Sequence, residues 1–362
     1  MLKDDFNLKV NKIRHLLNEI QKDGLILTTQ HSFAWLTGGR GFINTATSEA
    51  CCKILITHSS ALLIVNNIEK ERLKSEEGCG LFDEVLSFNW YENCGENCLI
   101  HSLTKKIDIA FESDVEEELL LIRTRLTPYD IERFTELGRD AANVMESLCN
   151  EVKRGQTEWE IAAQLSMKCK RLNIDPVVNL VASDERVFTY RHPLPTSKTV
   201  DRYILLALGA RRHGLVISLS RLVHFGRVSE ELKRKQEAVT AVDAVFIGNT
   251  VPGASYNSIF RKGIEEYKKQ GFPEEWKKHH QGGLTGFRSR EHRVTLDSGY
   301  RIYNNQAFAW NPTISGVKSE DTIITNSDGP KVITRTGNFP EIALNVNGQT
   351  IHRPLILERA LV

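Results

Sequence analysis

The sequence predicts a two-domain protein of the α/β (α+β) class. Three observations carry this expectation. The chain has 362 residues, more than one hydrophobic core ordinarily supports. In its first third, stretches of helical period alternate with short apolar runs of strand length. A second strong helix start, Thr127-Pro128-Tyr129-Asp130, follows that alternating region.

Val10, Ile13, Leu16, Leu17 and Ile20 fall on one face of a helix over about 6–22. Gly24 stops it, and Leu25-Ile26-Leu27 reads as a buried strand. The runs 54–56 and 61–65 flank His58-Ser59-Ser60 and predict a hairpin. A charged helix over 69–77 and a strand over 106–112 complete the first domain, which spans 1–124.

The second domain spans 125–362. Thr127 caps its first helix, Pro128 suits the first helical position, and the helix runs to about 153 before Gly155. Thr157-Glu158-Trp159-Glu160 has the spacing of a capping box. Strands dominate 177–225, and a helix pair over about 229–270 is broken at Val251-Pro252-Gly253. Loops and strands return over 279–326.

Composition narrows the function. The formal charge is +1 and no dense Lys/Arg block occurs, so a nucleic-acid surface is not expected. No apolar run approaches the ~18 residues of a membrane span. The charged start Met1-Leu2-Lys3-Asp4-Asp5 lacks the apolar run of a secretory signal. Seven cysteines without paired Cys-x-x-Cys spacing read as reduced thiols, and Cys94-x3-Cys98 is weak as a zinc motif. A cytoplasmic protein acting on a small molecule or short peptide, with no membrane or nucleic-acid partner, is expected.

An ordered set of segments carries a family resemblance. Phe33-Ala34-Trp35-Leu36-Thr37-Gly38 resembles N-x-x-Y-L-T-G. Thr127 to Glu132 resembles T-K-x-E-I, and Arg191-His192-Pro193 resembles a segment bearing a functional histidine. Leu208-Gly209-Ala210 through Ser220-Arg221 resembles D-x-G-A-x-x-x-G-Y-x-S-D-x-T-R. His279 to Gly286 resembles H-G-x-x-H-x-x-G. Trp310-Asn311-Pro312 resembles I-E-P, and Ser319-Glu320-Asp321 resembles x-E-D. The chain therefore resembles the creatinase, aminopeptidase P and prolidase family of Xaa-Pro peptidases. The resemblance implies an N-terminal creatinase-like α/β domain, a C-terminal pita-bread domain and a homodimer.

Peptidases of that family hold two divalent ions on two Asp, one His and two Glu. Carboxylates suit hard cations that activate a bridging water. The matching positions here are Ala207, Ser218, Gly283, Asn311 and Glu320, so only Glu320 stays acidic. No metal and no other cofactor is expected. His213, His224, His279 and His280 are the residues from which a rebuilt metal site could be assembled.

The resemblance also points to creatinase, which cleaves a C–N bond without metal. It assigns His192 and Glu320 as catalytic, with His192 shuttling a proton. It assigns Arg290, Asn311, Arg40 and Phe42 to substrate binding, the last two reaching the partner subunit's site. An arginine fork grips a carboxylate in two places. Ser220 stands where creatinase has a second guanidinium-binding Glu, which disfavours creatine itself. The expected function is metal-independent C–N hydrolysis of a small carboxylate-bearing amide or amidine. The alternatives are a non-catalytic pseudo-peptidase and an Xaa-Pro peptidase with a rebuilt metal site.

Overall fold

The computed structural model describes residues 1–361. They divide into two compact units, Met1–Tyr129 with His213–Leu215, and Asp130–Arg212 with 216–361.

In the first unit, helix α1 (Leu2–Ile20) buries Phe6, Val10, Ile13, Leu16 and Leu17, the face its periodicity marks. It ends at Gln21 in a left-handed conformation. The strands are β1 (Gly24–Thr29), β2 (Glu49–Thr57), β3 (Ala61–Asn66), β4 (Glu84–Phe88) and β5 (Ile109–Phe111). They form one mixed sheet in the order β4-β3-β2-β1-β5. The β2–β3 hairpin pairs Ile56 with Ala61 and Ile54 with Leu63, as the two apolar runs require. Helices α2 (Gln30–Thr37), α3 (Lys70–Glu76), α4 (Gly95–Thr104) and α5 (Glu116–Arg123) join the strands.

The sequence did not announce α2, α4 and α5. Helix α2 starts because the Thr29 side chain accepts from the Ser32 N–H, and it stops at left-handed Gly38. The expectation of reduced thiols throughout is corrected at one pair. Cys94 and Cys98 form a disulfide beside the start of α4. Its two cysteines lie one helical turn apart, a proximity that spacing alone does not distinguish from unpaired thiols.

The second unit opens with α6 (Pro128–Glu151) and α7 (Glu158–Lys170). At the start of α7, Thr157 and Glu160 cap each other reciprocally as the spacing predicts. Strand β6 (Asp175–Ser183), the short α8 (Glu185–Thr189), β7 (Tyr203–Arg212) and β8 (Leu215–Phe225) follow. Then come α9 (Glu230–Asn249) and α10 (Tyr256–Lys269), separated at left-handed Gly253.

The rest of the chain is mainly β. Strands β9 (Gly282–Thr285), β10 (His292–Arg293), β11 (Ala307–Trp310), β12 (Thr313–Ile314), β13 (Val317–Lys318), β14 (Asp321–Ile324) and β15 (Lys331–Val332) precede β16 (Glu341–Val346), β17 (Gln349–Pro354) and β18 (Leu357–Arg359). Two sheets frame the site. One has the order β18-β8-β7-β6 and the other β10-β9-β11-β14-β15. Side-chain and backbone hydrogen bonds stitch them together. The Thr322 hydroxyl donates to the Ser218 carbonyl at 2.9 Å and accepts from the Ser218 N–H at 2.8 Å. Ser220 N–H donates to the Glu320 carbonyl at 3.1 Å. Behind β11, Trp310 stacks on Phe246 of α9 at 4.6 Å and donates from its indole to Thr250 at 2.9 Å. Among the described residues no helix is long and apolar enough to cross a membrane.

Candidate active site

A cavity of about 220 Å³ opens where these two sheets meet. Ala207 of β7 and Ser218 of β8 line one side, and Asn311, Lys318 and Glu320 line another. His192, His280, Arg290 and Arg293 close the mouth. The sequence-derived residues His192, Glu320, Arg290 and Asn311 thus share one cavity, as do the replaced positions Ala207 and Ser218. Arg40 and Phe42 lie in the first unit, on the loop after α2. There Arg40 pairs with buried Glu77 at 2.7 Å, and the Phe42 carbonyl accepts from Arg72.

Glu320 is the hub. Its Oε2 accepts from the Lys318 ammonium at 2.8 Å and from the Ser220 hydroxyl at 2.5 Å. Its Oε1 faces the Arg290 guanidinium at 3.4 Å. Burial alone would raise the pKa of this carboxyl. The Lys318 and Arg290 charges, with hydrogen bonds from Lys318 and Ser220, outweigh burial and hold it at about 2. Lys318 is itself only 5 % exposed. A second buried network fixes Ser319 and the start of β14, on either side of Glu320. Ser319 donates to Asp243 at 2.5 Å, Arg353 bridges Asp243 and Asp321 at 2.7 Å each, and Arg221 holds Asp321 at 3.2 Å. Burial drives the Asp243 carboxyl up to about 7 despite its arginine partner.

Arg290 also donates to Ser218 Oγ at 3.2 Å and to the Ser289 carbonyl at 2.5 Å, while its buried Nε has no partner. The Asn311 side-chain oxygen Oδ1 is likewise buried and unpartnered. Both are polar atoms with hydrogen-bonding capacity to spare at the cavity wall.

Three imidazoles meet at the same mouth. His192 Nε2 and His279 Nε2 are 3.0 Å apart. His280 stacks on His192 and leans on His279, with ring centroids 5.6 and 4.4 Å apart. Burial, then the Lys318 charge, pushes His279 down to about 2. Burial, then Arg290 and Arg293, pushes His280 down to about 4. His192 is lowered too, by burial and then Lys318, with Glu320 opposing. All three rings are neutral at neutral pH.

Two divalent ions on the family's ligand positions do not fit this cavity. Ala207 has no donor atom, and the one retained carboxylate already carries two cations. Gly283, in the ligand-histidine position, has φ +147°, and a Cβ there would meet the His292 carbonyl oxygen at 2.3 Å. Strand β9 runs so close to its neighbour that no side chain can occupy that position.

Sequence reasoning passed over Lys318 and Arg293 as site residues. The signal for Lys318 was present. It lies two residues before Glu320 in extended chain, and alternate residues of a strand share a face. Of the histidines from which a metal site could be rebuilt, His279 and His280 gather here, joined by His192. His213 sits in the β7–β8 turn, and His224 bonds the Gly226 carbonyl.

These features define a class: an N-terminal creatinase-like α/β unit followed by a pita-bread unit with its pocket between two sheets. The chain belongs to metallopeptidase family M24, whose model matches residues 132–327, and the Creatinase/Prolidase N-terminal domain matches residues 9–142. It is similar to an Xaa-Pro dipeptidase of Pyrococcus horikoshii, 25% identical over 92% of this chain and 98% of the relative. The fold matches the structure of an Xaa-Pro dipeptidase from Bacillus anthracis with TM-score 0.79 at 19% identity, covering 98% of this chain and 100% of that one. It also matches the prolidase of Pyrococcus horikoshii OT3 with TM-score 0.74 at 20% identity, over 91% and 98% of the two chains.

Proposed function

We propose that this prolidase-like protein is a metal-independent hydrolase of the C–N bond in a small carboxylate-bearing amide. One observation carries the reading: Lys318 and Arg290 converge on Glu320 in the cavity where the family's peptidases hold metal. Fixed cations on the protein supply the positive charge that the ions otherwise bring.

The substrate carboxylate meets Arg290 and Arg293, and the cavity volume suits a molecule of amino-acid or dipeptide size. Water adds to the amide carbon. His192 takes the water's proton and returns it to the departing nitrogen, leaving a carboxylic acid and an amine. His279, hydrogen-bonded to His192, orients the ring. Lys318 and Arg290 face the oxygen on which negative charge develops. Both Glu320 oxygens are engaged, which favours a neutral amide over a cationic amidine. In the same reading the chain is a homodimer, and the Arg40–Phe42 loop closes over the partner's cavity.

The runner-up is a binding protein without turnover. It draws on the same saturation of Glu320, which leaves no free carboxylate in the cavity to activate water. A panel of N-acyl amino acids and Xaa-Pro dipeptides, assayed with and without EDTA, separates the readings. Turnover that EDTA leaves intact and His192→Ala abolishes supports the hydrolase. Heat stabilisation by a panel member without product supports the binder. Turnover that requires two manganese ions per chain overturns both.

A further inference from the structure

We propose that His192, His279 and His280 form a reversible site for one divalent transition-metal ion, zinc above all, at the cavity mouth. This site is distinct from the carboxylate positions of the peptidases. One ring nitrogen from each histidine lies within 4.8 Å of the others. A tetrahedral zinc with Zn–N of about 2.0–2.1 Å needs nitrogens roughly 3.4 Å apart. The His192–His279 pair is already at 3.0 Å, so ring rotations of His280 toward the pair complete the set.

A second observation points to a ligand. The Nδ1 atoms of His279 and His280 are buried and have no hydrogen-bond partner. The backbone carrying the two rings is meanwhile held firmly. The Gln281 amide donates to the carbonyls of His279 and Trp276 at 2.6 and 3.1 Å, and Tyr267 donates to Gln281 Oε1 at 2.9 Å. The unpartnered Nδ1 of His280 is a donor that ligation satisfies, whereas His279 faces the set through Nε2 and its Nδ1 lacks the anchoring partner of a tight site, in keeping with reversible binding.

The donor set selects the ion. Three imidazoles without a thiolate favour zinc, copper, nickel or cobalt over calcium or magnesium. Neutral rings do not need to release a proton before binding. The charge around the site sets its strength. Lys318, Arg290 and Arg293 all oppose a dication, and Glu320 offsets only part of that. Binding is therefore weaker than at a structural zinc site, and an anion in the fourth position strengthens it.

The functional consequence rests on the hydrolase reading above. An ion on these rings occupies His192, so the base is no longer available. Zinc then acts as an inhibitor of a metal-independent reaction.

The test titrates metal-free protein with Co²⁺ and follows its visible absorption, with Zn²⁺ as competitor. One ion per chain is expected. His280→Ala should weaken binding by about tenfold or more. Arg293→Gln, which removes an exposed opposing charge, should tighten it. Circular dichroism of each variant checks folding. No cobalt band, or equal affinity in wild type and both variants, overturns the site. Two ions per chain, insensitive to His280→Ala, would point to the peptidase positions and also overturn it. The regulatory step is read separately, as the ratio of turnover with and without Zn²⁺. A ratio that falls in wild type and not in His280→Ala supports inhibition. An unchanged ratio with cobalt binding intact removes the inhibitory role and leaves the site standing.

Discussion

The Lys318 ammonium donates to Glu320 Oε2 at 2.8 Å inside a cavity where both residues are almost wholly buried. An ion pair so placed is costly to break, because each partner left alone is an uncompensated charge in low dielectric. Lys318→Met should destabilise the protein by about 3–5 kcal/mol in denaturant unfolding. Adding Glu320→Gln should recover part of that loss, since the buried carboxylate goes with its partner. Strictly additive losses would show that the pair is not coupled.

The same carboxylate predicts a pH dependence. Its pKa in the fold is about 2 against an ordinary 4.5, so folding favours the ionised form. The contribution is complete above 4.5 and is lost as pH falls toward about 2. The shift corresponds to stability on the order of 3 kcal/mol. Unfolding curves of wild type and Glu320→Gln, taken down through that window, should converge. A stability gap that stays constant with pH contradicts an ionised Glu320.

Restoring the family's histidine should fail structurally. Gly283→His places a Cβ against the His292 carbonyl oxygen at a backbone angle that side chains rarely adopt. A loss of about 3 kcal/mol or more is expected from the combined strain and overpacking. Native-like stability in thermal unfolding, with a manganese ion bound, would refute the closed position.

Arg353 supports the site from behind. It bridges Asp243 and Asp321, the latter next to Glu320 in the chain. Arg353→Met leaves two buried carboxylates without their shared cation and should cost about 3–5 kcal/mol. Hydrogen exchange should rise along β14 in the same variant. Exchange unchanged at β14 would mean that Arg221 alone holds the strand.

Much of the scaffold was legible from local signals. The α1 face, the β2–β3 hairpin, the α7 capping box and the α9–α10 break at Gly253 are each encoded by a few neighbouring residues. The short α2, α4 and α5 were not legible, because α2 and α5 carry continuous apolar runs (33–36 and 119–122) in place of a helical period, and α4 and α5 have no side-chain cap, which leaves the outcome to packing.

The site divides in the same way. Sequence by itself determined that four of five family ligand positions had changed, because motif order fixes register without any knowledge of depth. It also marked His192 and Glu320 as residues of the pocket. Only the tertiary structure decided what surrounds Glu320. Lys318 and Glu320 lie two residues apart, but Arg290 comes from a separate stretch of chain, and the three charges converge only once two sheets exclude water between them. The meeting of His192 with His279 and His280 across 87 residues has the same origin, since a contact between distant segments leaves no periodicity to read.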